Sequence, residues 1–246
     1  MEINSVQNEK VRQWDKLKLK KYRDETGCFI IQEKHLIKEA LEAGLLETLI
    51  VRKGAVNEFS REAVTVSDAV MKKLSSNVSL NDFIAICRKP ENQAEREDRI
   101  IVLEKVQDPG NLGTIIRTAY SFGYDALYLS TDCCDEFNEK CIQSSQGAIF
   151  RLPIIRMKME DIRKKMKKEG LTVAVTCLRG ASMLQDIEIP QRFALVFGNE
   201  GRGLTAETIK AGDIRVKIEM DQFESLNVAV AAAICAYQFR YGRKKS

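Results

Sequence analysis

The chain has 246 residues, a formal charge of +4 and a single histidine, His35. Hydrophobic residues make up 44% and charged residues 30%, which excludes a disordered or fibrous chain and leaves enough apolar surface for a core without staples. One histidine excludes a multi-histidine metal site and leaves any imidazole-based nucleophilic chemistry to His35 alone.

Residues 9–23 read as a helix in which Val11, Trp14, Leu17 and Leu19 interrupt basic residues. A short strand follows at 29–31, then a helix over 33–43 that Gly44 can close. The next elements are a strand at 49–51, a helix over 67–74 with Ser67 as N-cap, and a strand at 83–87. Together they predict a small α/β domain over 1–89. Segment 90–99 contains Pro90 and has Ala94 as its one other apolar residue, so it reads as a linker. From 100 onward, apolar strands at 100–103, 126–129, 173–176, 194–197 and 214–218 alternate with helices over 112–122, 138–146, 159–168 and 226–241. Residues 149–155 read as extended. Continuous apolar strands between helices predict an α/β domain over 100–246 with a mainly parallel sheet covered on both faces.

The charge is uneven. Residues 1–23 carry Lys10, Arg12, Lys16, Lys18, Lys20, Lys21 and Arg23 against Glu2, Glu9 and Asp15. The end of the chain adds Arg240, Arg243, Lys244 and Lys245. These two ends hold +8 and leave −4 for everything between them. Basic ends on a nearly neutral body suit a polyanion such as nucleic acid. The run Arg163–Lys168 reads as a solvated helix face. Seven cysteines without a CxxC pair read as reduced core residues. The absence of an apolar N-terminal stretch or spanning run points to a cytoplasmic protein away from membranes.

Three polar or glycine-rich segments follow three of the predicted parallel strands, where such sheets bind ligands. They are 108–113 (DPGNLG), with Arg117 beyond it, 198–203 (GNEGRG), and 219–227, which contains Glu224, Ser225, Leu226 and Asn227. None has the glycine order of a dinucleotide or P-loop motif, which argues against a nicotinamide oxidoreductase. Asn111, Arg117, Glu200, Ser225 and Asn227 are candidates to converge on one polar pocket.

These segments also carry a resemblance. DPGNLGTIIRTAYSFG (108–123), LVFGNEGRGL (195–204) and ESLNVAVAAA (224–233) are similar, in order and spacing, to the three motifs of the SpoU/TrmH family, and SSQGAIFRLP (144–153) resembles the stretch between the first two. In the N-terminal part, Asn8–Arg12, Lys20–Arg23, Phe29 and His35–Leu41 resemble the small RNA-binding domain of ribosomal RNA members. The resemblance implies an RNA ribose 2′-O-methyltransferase that uses S-adenosylmethionine and no metal. It implies a catalytic domain with a deep trefoil knot, a homodimer, and ribosomal RNA as partner. Transfer RNA as substrate, or a non-catalytic RNA-binding relative, are the alternatives.

By the same resemblance, Asn111, Arg117, Glu200, Ser225 and Asn227 form the catalytic set. Thr176, Gly198, Asn199, Ile218, Met220 and Leu226 lie at the cofactor, and Lys10, Arg12, Lys20, Lys21 and Arg23 face RNA. A guanidinium stays protonated in proteins. The expected role of Arg117 is therefore to hold a phosphate and stabilise developing charge, with Glu200 orienting it and with Asn111 and Ser225 fixing the hydroxyl. The chain departs from the family pattern at Glu219, where proline is usual, at Ala229 for serine, and at Lys34 for glycine. His35 reads as a helix surface residue.

Overall fold

The computed structural model describes residues 1–76, 80–222 and 225–242. Glu224, Arg243, Lys244 and Lys245, singled out above, lie outside the described residues. In chain order the first elements are β1 (Glu2–Ile3), α1 (Glu9–Lys16), α2 (Lys20–Thr26), β2 (Cys28–Ile31), α3 (Lys34–Glu42), β3 (Leu46–Arg52), β4 (Ala63–Val66), α4 (Asp68–Leu74) and β5 (Phe83–Arg88). Then come β6 (Arg99–Leu103), α5 (Pro109–Ser121), β7 (Ala126–Ser130), α6 (Glu139–Ser145), β8 (Ile154–Met157), α7 (Met159–Lys168) and β9 (Thr172–Thr176). The chain closes with β10 (Ser182–Met183), β11 (Phe193–Phe197), α8 (Ala206–Lys210), β12 (Ile214–Lys217) and α9 (Val228–Tyr241).

The chain forms two compact units. The first comprises Met1–Pro90 and Phe137–Arg151, the second Glu91–Glu136 and Leu152–Ser246. Residues 137–151, expected within a continuous domain over 100–246, thus group with the N-terminal residues. Side chains explain this. Phe137 lies 4.9 Å from Phe29 between ring centroids, Glu139 accepts from Gln32 at 3.2 Å, and Gln143 donates to Glu33. Arg99, expected in the linker, opens β6.

The first unit holds a five-stranded sheet in the order β1-β4-β3-β5-β2, mixed in direction. One face packs on α1 and α4 through Val11, Leu17, Ile50, Val70, Met71 and Ile84. The expected helix over 9–23 is two helices. The first ends at Lys16 with Leu17 as its C-cap, and the buried Arg23 donates from Nη1 to the Leu17 carbonyl at 2.7 Å. That bond satisfies a carbonyl exposed by the end of α1.

The second unit holds a seven-stranded, fully parallel sheet in the order β10-β12-β9-β11-β6-β7-β8. All five residues of both β7 and β11 are buried, as strands covered on both faces require. Helix α7 turns Ile162 and Met166 inward and exposes Lys164, Lys167 and Lys168. Truncating a fully buried leucine or isoleucine of such a core to alanine costs about 2–5 kcal/mol. The expected extended run over 149–155 is instead a single 3-10 turn at Ala148–Phe150 followed by β8. Gly147 at φ +88° and Gln146 at φ +50° set up that turn. Short apolar runs do not separate buried helix from strand by periodicity.

Candidate active site

The strand order places a reversal between β6 and β11. From β6 the chain builds β7 and β8 on one side, then returns to build β9, β11, β12 and β10 on the other. Ligands of parallel sheets bind outside the carboxyl ends of strands at such a reversal. The segments after β6 and β11 meet there. Asn199 donates to the Lys105 carbonyl at 2.9 Å. The Glu200 carboxylate accepts from the backbone N–H groups of Gln107, at 3.2 Å, and Asp108, at 3.0 Å. It also accepts from the side-chain amides of Asn111 and Asn199, each at 3.3 Å.

Each segment is shaped locally. Asp108 is the N-cap of α5, accepting from the Asn111 N–H at 2.8 Å, and Pro109 occupies the first turn, where its missing N–H costs nothing. The helix expected over 112–122 therefore starts earlier, at Pro109. After β11 the chain closes on itself, with Asn199 and Gly203 exchanging backbone hydrogen bonds of 3.1 and 2.9 Å. A Cβ at residue 198 would lie 2.2 Å from the Gly203 carbonyl carbon, so only glycine fits. Asn199 Oδ1 stiffens the turn by accepting from the N–H groups of Gly201 and Arg202, both at 3.0 Å.

The third segment joins through Asn227. Its Oδ1 caps α9, accepting from Ala229 N–H at 2.8 Å and Val230 N–H at 3.3 Å. Its Nδ2 donates to Asn111 Oδ1 at 2.9 Å. Asn227, Asn111 and Glu200 thus form one hydrogen-bonded chain across the three segments. Ser225 lines the adjoining cavity. Arg117 lies exposed on α5 and makes no hydrogen bond or ion pair with a described residue. The expected orientation of Arg117 by Glu200 is not found, because the carboxylate is taken up by the 107–111 turn and Asn199. Burial opposes ionisation of Glu200, but the N–H groups of Asp108, Glu200 itself and Gln107, with the Asn111 amide, outweigh it and hold the carboxyl below its ordinary value of 4.5.

Beside this chain lies a cavity of about 580 Å³. Thr176, Gly198, Asn199, Ile218, Met220 and Leu226, the six residues expected at a cofactor, all line it. Phe197, Leu204, Val216 and Val228 add apolar wall. The Thr176 hydroxyl donates to the Val196 carbonyl at 3.0 Å, so it serves the sheet. Glu219 is turned to Gln185, which donates to it at 2.7 Å. Sequence reading missed Glu104, which is 2% exposed and accepts from the Thr205 N–H and hydroxyl and from the Thr208 hydroxyl. An acid directly after four apolar strand residues was the available signal.

The basic N-terminal residues divide. Lys10 and Arg12 are exposed on α1. Lys20 pairs with Asp24, and Lys21 lies 3.8 Å from Glu25. Asp24 is held down at about 2, since Lys20 and Lys89 outweigh the opposing effect of its burial. Arg23 does not face outward with the expected RNA-facing residues. It is buried and bonded to the chain's own backbone, so it offers no head group to an external ligand. His35 is exposed on α3. Among the described residues, no group of three or more His, Cys, Asp or Glu is placed to hold a metal ion. No described helix is long and apolar enough to cross a membrane.

Two segments of the chain match known families. Residues 98–237 match the SpoU rRNA Methylase family, and residues 8–85 match the MRM3-like substrate binding domain. The chain is 36% identical over 245 residues to the 23S rRNA (guanosine(2553)-2′-O)-methyltransferase RlmP of Bacillus subtilis (strain 168), covering 97% of this chain and 99% of that protein. A solved RNA 2′-O ribose methyltransferase is 30% identical, with a TM-score of 0.83 and 99% of both chains covered. The AdoMet-bound rRNA methyltransferase from Sinorhizobium meliloti is 27% identical, with a TM-score of 0.85 over 98% of this chain and 97% of that one.

Proposed function

Because the chain belongs to the SpoU rRNA methylase family, we propose that it methylates a ribose 2′-hydroxyl of ribosomal RNA with S-adenosylmethionine. The observation that carries the reading is the Asn227–Asn111–Glu200 chain at the edge of the 580 Å³ cavity. The cavity suits the cofactor. Its volume lies in the range of small-molecule sites, and its wall combines apolar side chains with glycine backbone at 198, 201 and 203. Thr176, Gly198, Asn199, Ile218, Met220 and Leu226 would hold it there. When bound, S-adenosylmethionine supplies a methyl group on a sulfonium, with a neutral leaving group.

The protein's own task is positioning a poor nucleophile. Asn111 and Ser225 orient the ribose hydroxyl, which is worth orders of magnitude in rate when the reacting atoms are aligned. Arg117 offers a guanidinium to the neighbouring phosphate and to charge developing on the ribose oxygen. Asn227 and Glu200 are positioning residues that act through Asn111. A carboxylate already accepting from four donors, with its proton affinity lowered, is poorly suited to act as a base, so the hydroxyl proton would leave through the neighbouring phosphate or water.

The relative's 23S rRNA substrate and the substrate-binding domain favour ribosomal over transfer RNA. We extend the proposal to a trefoil-knotted second unit, a homodimer and a cytoplasmic enzyme. The homodimer is supported by α9. Its inner residues Ala229, Ala232, Cys235, Ala236 and Phe239 are buried, while Val230, Ile234, Tyr237 and Tyr241 leave an exposed apolar stripe 39–57% accessible. Light scattering during gel filtration is expected to give twice the chain mass.

The central test is transfer of labelled methyl from S-adenosylmethionine to unmethylated ribosomal RNA, followed by mapping of the modified ribose. Asn111→Ala is expected to lower the rate by roughly a hundredfold. No incorporation by the native chain, or undiminished incorporation by Asn111→Ala, refutes the proposal.

A further inference from the structure

Four cations line the cavity: Arg179, Arg202, Arg215 and Lys217. They come from three neighbouring strands of the parallel sheet. Arg179 follows β9, Arg202 lies in the turn after β11, and Arg215 and Lys217 sit on β12. Residues two apart on a strand share a face, and Val216 between them is buried. Arg215 Nη1 lies 3.5 Å from where a Cβ at Gly180 would stand, which seats it against the turn carrying Arg179.

None of the four makes an ion pair or side-chain hydrogen bond with a described residue. Among the described residues, the one acid lining the same cavity is Glu200, and four donors of the 107–111 and 199 backbone and side chains already occupy it. The described residues of the wall therefore carry a positive excess. S-adenosylmethionine does not account for it. That molecule has one carboxylate against an ammonium and a sulfonium, so a wall of four cations exceeds what its single anionic group can use. A strand of phosphates does account for it, because its charges recur at a spacing that several separate cations can follow.

We propose that Arg179, Arg202, Arg215 and Lys217 form a phosphate-binding rim on the second unit that takes the RNA strand carrying the target ribose. This rests on the proposed RNA methyltransfer and adds a substrate contact from the catalytic side of the chain. The basic residues of α1 and α2 are a separate set. The rim would fix the ribose against the cavity by holding phosphates on either side of it, so its loss falls on RNA affinity and not on cofactor affinity.

The test uses the full-length chain with Arg179, Arg202, Arg215 and Lys217 each replaced by Gln, singly and together, which removes charge and keeps most of each stem. Urea midpoints establish that the variants fold. The probe is an unmethylated ribosomal RNA transcript, with its affinity measured over a range of salt. Each cation lost is expected to lower the slope of log affinity against log salt by about 0.7, the single-strand value per phosphate. The combined variant is expected to raise KM for RNA about tenfold, with kcat at saturating RNA and the calorimetric Kd for S-adenosylmethionine within threefold of the native chain. An unchanged salt slope and KM for RNA overturns the rim. So does a tenfold weaker Kd for S-adenosylmethionine with an unchanged RNA slope, which assigns the cations to the cofactor. A native chain that transfers no methyl to RNA overturns the proposed function, and the rim with it.

Discussion

Replacing Glu104 by Gln exchanges one oxygen for an amide nitrogen at a carboxylate that is 2% exposed. Oε2 accepts from the Thr205 N–H at 2.9 Å. Oε1 accepts from the hydroxyls of Thr205, at 2.9 Å, and Thr208, at 3.0 Å. A backbone N–H cannot turn away, so the glutamine oxygen must keep facing Thr205 N and its NH₂ must face the two hydroxyls. The Thr205 hydroxyl can then donate to Thr208 Oγ1, 3.0 Å away. The Thr208 hydroxyl proton has no acceptor left, and Thr208 Oγ1 already accepts from Arg163 at 3.1 Å. One stranded buried donor costs about 1–3 kcal/mol, and exchanging a charge-assisted bond for a neutral one costs about 1 kcal/mol more. Glu104→Gln is therefore expected to lose about 2–4 kcal/mol in urea unfolding at pH 7. Thr205→Val, which removes the N-cap of α8, is expected to lose about 1–2 kcal/mol, and the double variant less than the sum. A Glu104→Gln variant within 0.5 kcal/mol of the native chain, or strict additivity with Thr205→Val, would show that this network does not hold the turn after β11.

Gly198→Ala forces a Cβ into the Gly203 carbonyl, and overpacking of this kind costs about 1–3 kcal/mol or more. It is expected to abolish calorimetric binding of S-adenosylmethionine, and native-like affinity would show that the turn can shift without consequence. Asn111→Asp places a carboxylate where an amide donates to Glu200 at 3.3 Å. It is expected to methylate RNA more slowly than Asn111→Ala, and the reverse order would remove the Asn111–Glu200 contact from the site. Glu200 has a lowered proton affinity in the folded chain, so its contribution to stability is complete above the ordinary glutamate value of 4.5 and is lost as pH falls through the lower folded value. The difference in urea midpoint between the native chain and Glu200→Gln is expected to be constant from pH 8 to pH 6 and to shrink below pH 4.5. A difference that grows on acidification refutes that sign.

How much of this arrangement sequence could reveal depends on the range of the interaction. The strands of the second unit were legible because burial on both faces leaves unbroken apolar runs such as Leu127–Leu129 and Ala194–Phe197. Ser67 was legible as a cap because its chemistry acts three residues away. Elements of two to five residues, β1, β4, β10 and α8, were missed, since they are too short to show a period. The burial of Arg23 escapes sequence for a different reason. Its neighbours Lys20 and Lys21 are exposed, and only the break at Leu17, three-dimensional in origin, turns its guanidinium inward. The convergence of the three segments is an expectation from their place after parallel strands, whereas the contact that Glu200 makes depends on β11 lying beside β6, almost a hundred residues earlier in the chain.

That adjacency determines what an asparagine can do in place of a histidine. A side-chain amide has two N–H donors and two lone pairs on its oxygen. Asn111 uses one N–H toward Glu200 and one lone pair for Asn227. Its partners are themselves fixed, Glu200 by the backbone of 107 and 108 and Asn227 by the first turn of α9. The amide therefore cannot flip without setting donor against donor and acceptor against acceptor. One N–H and one lone pair remain, both with a set direction. An incoming hydroxyl meets an acceptor and a donor that are already aimed, and the ordering cost has been met by the fold before the substrate arrives. Imidazole would add a proton-accepting nitrogen but has no equivalent pair on each side of one rigid plane. A transfer to a neutral leaving group gains more from such alignment than from an added acid.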